Sequence, residues 1–192
     1  MDWILASASP RRKELLAEVI EKFEILPSCG EEIVEGEPTP EELVKALARQ
    51  KASEVALRKE AAGKAVLGAD TVVSLGGKIL GKPTDEEDAF RMLSALSGKM
   101  HEVYTGVCML YPKRDGLREE LLAAACTKVR FLPLTKEKIR AYIATGSPMD
   151  KAGAYGIQDG GLVEGIDGSF SNVVGLPVEL CKEMLESIRE KL

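Results

Sequence analysis

The connections between the predicted strands restrict the fold of this chain more than any other feature. Two short apolar runs, 2–6 and 22–27, flank a predicted helix and so form a β–α–β unit. Further along, Gly76-Gly77 links the apolar run 65–74 to 78–80 as a hairpin. A helical crossover joins parallel strands, whereas a tight hairpin joins antiparallel ones. The sequence therefore predicts an α/β protein with a mixed central sheet, flanked by helices and curved into two lobes.

Capping signals predict where the helices begin. Thr39-Pro40-Glu41-Glu42 and Thr84-Asp85-Glu86-Glu87 both match the capping box, and their helices are expected to end near Ala62 and at Gly98. The remaining predicted elements are strands at 101–111 and 121–132 joined by a charged loop at 112–118, a helix from Thr135 to Gly146, a glycine-rich segment at 153–168 with one short strand around 162–166, and a terminal helix at 177–192.

Composition and charge exclude several classes of function. With 192 residues, 45% apolar and 30% charged, the chain is expected to form one soluble domain over 1–192. Its apolar runs fall short of the ~20 residues that span a membrane and no basic leader is present, so a cytoplasmic location without a membrane partner is expected. A net charge of -5 argues against a nucleic-acid partner. The four widely separated cysteines are interpreted as structural thiols.

The segment Ile4–Arg12 is the first candidate site. Ser9 can cap the following helix and Pro10 suits its first position, so free backbone N–H groups would face an anion there. Arg11 and Arg12 add permanently charged guanidinium groups that suit phosphate oxygens. An ordinary strand-to-helix turn with two solvated arginines is the alternative that this segment alone leaves open.

Asp70 is the most unusual carboxylate, because it interrupts the apolar run 65–74. A charge among buried neighbours is costly unless it is paired or bound to a metal ion. Phosphoryl-transfer sites use such a carboxylate beside Mg²⁺ or a reacting water. The alternative is an aspartate paired with a lysine or arginine at the sheet edge.

Basic and acidic groups elsewhere give weaker signals. The hairpin should return Lys82 towards Asp70, where a lysine would neutralise a phosphate, although a solvated loop lysine is the alternative. Lys51 lies mid-helix near the apolar face, where extension of its ammonium to solvent is the simpler interpretation. Glu31 and Glu32 fall in an acidic loop, which is typical of solvated charge.

The segment 150–158 is a candidate ligand loop. Its small residues suit close backbone approach to a flat ligand, and the Gln158 amide offers one donor and one acceptor to a base edge. A tight turn with a packed Tyr155 is the structural alternative. The P-loop and dinucleotide glycine motifs are missing from the sequence, and so is the G-x-S-x-G motif that would accompany Ser–His chemistry through the single histidine, His101.

Taken together, these segments resemble the Maf family of nucleoside triphosphate pyrophosphatases. The matching blocks occur in family order over nearly the whole chain: Leu5–Arg12, Arg49–Ala52, Gly68–Val73, Gly81-Lys82-Pro83, Leu96-Ser97-Gly98, His101–Gly106, Asp150–Gln158 and Asn172–Pro177. The resemblance implies hydrolysis between the α and β phosphates, which yields a monophosphate and pyrophosphate, with a divalent metal cation, Mg²⁺ or Mn²⁺. It also implies a fold with a central cleft, similar to that of inosine-triphosphate pyrophosphatases (Maf/HAM1-like).

The resemblance further implies roles for individual residues. Asp70 matches the proton acceptor, and Glu32 matches a cleft carboxylate that helps Asp70 hold the metal. The phosphate-binding set is Ser7, Arg12, Lys51 and Lys82. The three basic residues of this set are also implied to be catalytic, together with Asp70.

Nucleotide preference is implied by three further matches. Arg11, Thr71 and Gln158 match the branch acting on dTTP and UTP, which extends to modified pyrimidine nucleotides. Two departures stand out: Asp159-Gly160-Gly161 follows Gln158 where the family continues with glycine and an apolar residue, and Gln50 replaces the more usual glutamate before Lys51.

Two other functions compete with this interpretation. One is a pyrophosphatase for non-canonical purine nucleotides on the same fold, which a panel of triphosphates would reveal. The other is a non-catalytic nucleotide-binding regulator of cell division, which would bind a triphosphate tightly without hydrolysing it. An exposed apolar hairpin would also suit a homodimer.

Overall fold

A single mixed sheet organises the molecule in this computed structural model, which describes residues 1–113 and 116–191. Arg114 and Asp115 of the predicted charged loop, and Leu192 at the end of the predicted last helix, lie outside the described residues. The strands are β1 (Trp3–Leu5), β2 (Phe23–Ile25), β3 (Ala65–Leu75), β4 (Lys78–Leu80), β5 (Met100–Pro112), β6 (Arg118–Phe131) and β7 (Val163–Asp167). Their order across the sheet is β2-β1-β3-β5-β6-β7, and β4 pairs with β3.

Strand direction confirms the predicted mixed sheet. β1 runs parallel to both β2 and β3, whereas β3–β4, β3–β5, β5–β6 and β6–β7 are antiparallel. The parallel pairs follow helical crossovers and the β3–β4 pair follows the Gly76-Gly77 turn, where both glycines have positive φ. The central strand β3 therefore joins the parallel part of the sheet to the antiparallel part.

The helices surround this curved, open sheet, and three of their ends differ from prediction, including that of α4, which ends at Ile143 and not at Gly146. They are α1 (Pro10–Ala17), α2 (Pro40–Ala56), α3 (Glu86–Leu96), α4 (Lys136–Ile143), α5 (Phe170–Val174) and α6 (Val178–Lys191). Helix α2 ends six residues before the predicted Ala62, because Arg58 is extended and a separate 3-10 turn follows at Lys59–Ala61. Helix α3 ends at Leu96, with Ser97 as its C-cap and Gly98 at positive φ just beyond.

Local capping produces the predicted helix starts with one shift. Ser9 caps α1 by accepting from the Arg12 N–H, and Thr39 forms the full capping box of α2 with Glu42. The predicted Thr84 box is wrong by one residue: Asp85 caps α3 by accepting from the Asp88 N–H. An aspartate is as good a cap as threonine, and here it lies at the point where the backbone turns into the helix.

Close packing between α2 and the sheet sets the geometry of the centre. A Cβ on Gly68 of β3 would lie 2.4 Å from the Ala48 carbonyl oxygen, and one on Gly106 of β5 would lie 2.3 Å from that of Val44. Only glycine lets the helix backbone approach so closely. Because side chains alternate along a strand, Asp70 lies on the same face as Gly68 and therefore faces α2.

Two of the four cysteines are buried, as the structural interpretation predicts, and two are not. The four thiols are free; Cys108 and Cys181 are buried, whereas Cys29 and Cys126 are exposed. Among the described residues, the helices are all too short or too polar to cross a bilayer.

Candidate active site

A cleft of about 710 Å³ opens beyond the end of β1 and beside the middle of β3, between α2 and the 150–158 loop. It is lined by all the site residues predicted from the sequence: Ser7, Arg11, Arg12, Glu32, Lys51, Asp70, Thr71, Lys82 and Gln158. They come from separate segments of the chain, so the tertiary fold brings them together. Their individual roles stay predictions.

Lys51 joins two carboxylates at the centre of the cleft. Its Nζ lies 2.5 Å from Asp70 Oδ1 and 2.8 Å from Glu32 Oε1. The side chains of Lys51 and Asp70 are only 15% and 13% exposed, so this ammonium does not extend into bulk solvent. The hydrogen bond from Lys51 also lowers the pKa of Glu32. Lys51 therefore provides a fixed positive charge directly beside Asp70.

Arg12 is held at three points by hydrogen bonds. Its Nε donates to the Gly175 carbonyl at 2.9 Å, and its two terminal nitrogens donate to Thr71 Oγ1 at 3.1 Å and Ser7 Oγ at 3.4 Å. Burial lowers the pKa of Arg12, although a guanidinium remains protonated under all ordinary conditions. The Thr71 hydroxyl, predicted to select the base, thus also orients the phosphate-binding arginine.

A buried polar network behind Thr71 was missed by the sequence analysis. Thr71 Oγ1 lies 2.9 Å from Thr105 Oγ1, which donates to the Asn172 carbonyl at 3.0 Å. The Asn172 amide donates to the Val103 carbonyl and to Thr127 Oγ1, each at 3.0 Å. The buried hydroxyls of Thr105 and Thr127 and the amide nitrogen of Asn172 are satisfied in this way, so the network fixes α5 and its following Gly175 against the sheet. The signal available in the sequence was a polar side chain, Asn172, directly before the apolar pair Val173-Val174.

Arg11 points to the opposite side of the cleft from Arg12. Its Nη1 lies 3.2 Å from Asp150 Oδ2, and Asp150 also pairs with Lys151 at 2.9 Å. Desolvation raises the pKa of Asp150, but the hydrogen bonds from Lys151 and Arg11 outweigh it and lower the pKa. Arg11 therefore contacts the loop that carries Gln158.

The 150–158 loop is built from 3-10 turns fixed by polar contacts. Asp159, where the sequence departs from the family pattern, accepts from the Tyr142 hydroxyl at 2.5 Å and from Ser147 Oγ at 2.6 Å. The Tyr142 oxygen also accepts from the Gly156 N–H at 2.9 Å. Gln158 is exposed at the cleft, and among residues 1–113 and 116–191 its amide has no hydrogen-bond partner. That amide is free to contact a ligand.

Tyr155 anchors the same loop in the core, as the structural alternative predicted. Its hydroxyl lies 2.7 Å from His101 Nε2, and its ring packs edge-on against Phe131. Burial lowers the pKa of His101 to about 4, so the imidazole is neutral at pH 7. The single histidine therefore supports the loop from behind.

Lys82 enters the cleft from the hairpin, as its position predicts. The register pairs Val73 with Leu80, which returns the chain towards Thr71, and Lys82 is exposed in the cleft wall. The Gly81 carbonyl accepts from the Gly153 N–H at 2.9 Å, which ties the hairpin to the 150–158 loop. An exposed ammonium at this place would meet an incoming anion.

The donor set suits a divalent cation that is shared with a substrate. Within the described parts of the chain, no cluster of three or more histidine, cysteine, aspartate or glutamate side chains could hold a metal by itself. Asp70 and Glu32 nevertheless converge on one positive charge, that of Lys51. Mg²⁺ typically uses one or two carboxylates and completes its coordination with water and substrate phosphates. The two carboxylates fit that pattern.

Comparison with known proteins supports the fold and identifies relatives of the chain. A family model described as Maf-like protein matches residues 2–188. A dTTP/UTP pyrophosphatase of Thermococcus gammatolerans is 50% identical over 185 residues, covering 95% of each chain. A dTTP/UTP pyrophosphatase of Geobacter sulfurreducens is 53% identical over 189 residues, covering 97% of this chain and 94% of the relative. The structure of the Staphylococcus aureus Ham1 protein shares the fold, with a TM-score of 0.57, 14% identity and coverage of 97% of this chain and 99% of that one.

Proposed function

The chain belongs to the Maf-like protein family, and on this basis we propose that it hydrolyses dTTP and UTP to the nucleoside monophosphate and pyrophosphate. The observation that carries the proposal is the convergence of Lys51, Asp70 and Glu32 at the centre of a cleft whose walls supply further cations. The cleft chemistry suits a triphosphate, and relatives of about 50% identity carry the name of this activity.

The triphosphate would be bound by cations and backbone groups at the start of α1. Arg12, Lys51 and Lys82 supply three positive charges around the cleft, and Ser7 lies next to Arg12. Phosphate oxygens accept hydrogen bonds from a guanidinium in fixed directions and attract an ammonium as a point charge. Because Arg12 is already held by Gly175 and Thr71, it needs little reordering when substrate binds.

Asp70 is the proposed proton acceptor. Its carboxylate projects from the central strand into the cleft and is paired with Lys51, which fixes its position. The attacking water would lose its proton to this carboxylate as it adds to the phosphoryl group. Lys51, in contact with Asp70, would also offset the negative charge that develops on the phosphate oxygens.

A divalent cation fits the same carboxylates. Asp70 and Glu32 are the residues that would hold Mg²⁺ or Mn²⁺, which supplies positive charge to the phosphate oxygens when it is bound. Metal dependence is thus part of the proposal.

Base selection is assigned to the loop side of the cleft. Arg11 reaches this side through Asp150, and the Gln158 amide is free to pair with a pyrimidine edge. Thr71 contributes by orienting Arg12 as well as by lining the cleft. The pyrimidine preference and its extension to modified pyrimidine nucleotides rest on these groups and on the names of the relatives.

Release of pyrophosphate from a panel of triphosphates tests the proposal. Purified protein is expected to convert dTTP and UTP faster than ITP, XTP, GTP or ATP when Mg²⁺ or Mn²⁺ is present, and to lose activity in excess chelator. A preference for ITP or XTP would favour the purine alternative. Tight dTTP binding with no hydrolysis in either metal would favour a non-catalytic regulator. The cytoplasmic location and the homodimer stay predictions.

A further inference from the structure

The loop that carries Glu32 has no regular secondary structure to fix it. Glu32 lies in the irregular segment between β2 and α2, and its side chain is 54% exposed. Burial therefore does not hold this carboxylate in the cleft. Its position depends on what ties the neighbouring backbone to the rest of the molecule.

Gln50 on α2 ties the loop down just after Glu32. Its side-chain oxygen accepts from the Ile33 N–H at 3.3 Å, and its Nε2 donates to the Ile33 carbonyl. The amide thus pairs with both backbone groups of one residue, as a neighbouring β-strand would. Only a side chain with both a donor and an acceptor can make this pair.

Glu54, one turn further along α2, ties the loop down just before Glu32. Its Oε2 accepts from the Cys29 N–H at 2.8 Å and the Gly30 N–H at 3.4 Å. Its Oε1 accepts from Arg58 Nε at 3.0 Å, which holds the carboxylate in place. Hydrogen bonds to a charged acceptor are stronger than those between neutral groups.

The two contacts flank the ion pair between Lys51 and Glu32. Residues 50 and 54 lie on the same face of α2, because positions four apart are neighbours on a helix. The helix therefore holds the loop at 29–30, at Glu32 itself and at Ile33. A single rigid element that also packs against β3 sets the distance between Glu32 and Asp70.

We propose that Gln50 and Glu54 are positioning residues that hold the Glu32 carboxylate opposite Asp70. They act through the loop backbone and not through contact with substrate. The inference rests on the proposed function, in which Glu32 serves the reacting phosphate. Loss of such a supporting contact typically costs 10–100-fold in metal affinity or activity.

Gln50→Met is the sharpest variant, because it keeps the length of the side chain but removes both the donor and the acceptor that pair with Ile33. We expect kcat/KM for dTTP to fall about tenfold. Glu54→Gln, which weakens the acceptor for Cys29 and Gly30, is expected to act in the same direction. Lys45→Ala on the same helix is the matched control, because Lys45 pairs with Glu41 in solvent, away from the loop, and its activity should stay unchanged.

Coupling to Glu32 separates positioning from general damage to the fold. In a Glu32→Gln background, adding Gln50→Met should cause no further loss, because its effect passes through the carboxylate that is already gone. Mn²⁺ binding in the presence of α,β-imido-dUTP, followed by electron paramagnetic resonance, should weaken about tenfold in Gln50→Met and show the same lack of additivity.

Two results would overturn the proposal. One is wild-type activity and Mn²⁺ affinity in both Gln50→Met and Glu54→Gln. The other is an equal fold-loss with and without Glu32, which would mean that the helix contacts act on the whole protein. A wild-type protein that releases no pyrophosphate would instead contradict the proposed function. The two failures can be distinguished, because Mn²⁺ binding would still show whether position 50 acts through Glu32.

Discussion

The two walls of the cleft are held in different ways. On the α2 side, Lys51 and Asp70 project from a helix and a strand whose backbones meet at Gly68. On the loop side, Gln158 is carried by 3-10 turns that hydrogen bonds of Asp159 fix in place. Packed regular elements position side chains more rigidly than loops do. The comparison suggests that the α2 wall holds the groups for the chemical step, whereas the loop wall adapts the site to a base.

Asp70→Asn should have the largest effect, which is a loss of catalytic rate that originates at the α2 wall. Removing a general base typically costs 10²–10⁴-fold in rate, so kcat for dTTP should fall by roughly that factor. The asparagine has the same shape, so the circular dichroism spectrum and much of the nucleotide binding should be kept. Near-normal turnover in this variant would remove Asp70 from the proton-acceptor role.

Gly68→Ala tests whether close packing positions the α2 wall. The new Cβ would lie 2.4 Å from a backbone oxygen and 2.7 Å from a backbone nitrogen of α2, so the helix must move. We expect the free energy of unfolding to fall by about 3 kcal/mol and kcat to fall with it, since Lys51 moves with the helix. Urea unfolding and dTTP hydrolysis measure the two effects.

Gly165→Ala is the matched control for that substitution. A Cβ at Gly165 in β7 would meet no heavy atom within 4 Å in the described part of the chain, apart from its two sequence neighbours. Its unfolding free energy and activity should stay close to wild type. Equal losses in the two variants would mean that glycine flexibility matters, and not the approach of α2.

His101, which supports the loop wall, makes the free energy of unfolding depend on pH. Because burial lowers its pKa to about 4, the unfolded chain binds a proton near pH 6.5 whereas the folded protein does not. The unfolded state therefore binds more protons between these values, and the stabilisation that is complete above pH 6.5 is lost as the pH falls towards 4. Between pH 7.5 and 5 this amounts to about 2 kcal/mol of unfolding free energy.

His101→Gln isolates this contribution. The variant does not titrate at this position, so its loss of unfolding free energy between pH 7.5 and 5 should be about 2 kcal/mol smaller than that of the wild type. Urea unfolding at the two pH values provides the measurement. An unchanged pH dependence would mean that His101 is protonated in the folded protein, in contact with Tyr155.

Arg11→Ala should have the smallest effect. It tests whether the loop wall controls nucleotide preference without changing overall phosphate affinity. We expect the ratio of kcat/KM for dTTP to that for ITP to fall about tenfold, the effect of one charge-assisted hydrogen bond of about 1.5 kcal/mol. Arg12→Ala should instead lower both values together, since Arg12 faces the phosphates. A change in overall phosphate affinity from Arg11→Ala, with the ratio kept, would reverse the two assignments.

Features governed by neighbouring residues could be predicted from the sequence. The caps at Ser9 and Thr39 depend on groups three residues apart, and the Gly76-Gly77 hairpin depends on its own two turn residues. The α3 cap was misplaced by one residue because Thr84 and Asp85 are both good caps, and only the observed backbone turn distinguishes them. The early end of α2 was missed because Leu57, although apolar, is 89% exposed and packs against nothing that would continue the helix.

The sequence by itself determined the strands, most of the helix starts and, through resemblance to a family, which side chains to examine. Only the tertiary structure decided how those side chains are shared between the two walls. Lys51 and Asp70 are 19 positions apart, and the partners of Arg11 and Arg12 lie 139 and 163 positions away, in Asp150 and Gly175. Local hydrogen bonds follow from short-range sequence patterns, whereas these contacts exist only after the sheet, α2 and α5 have packed together.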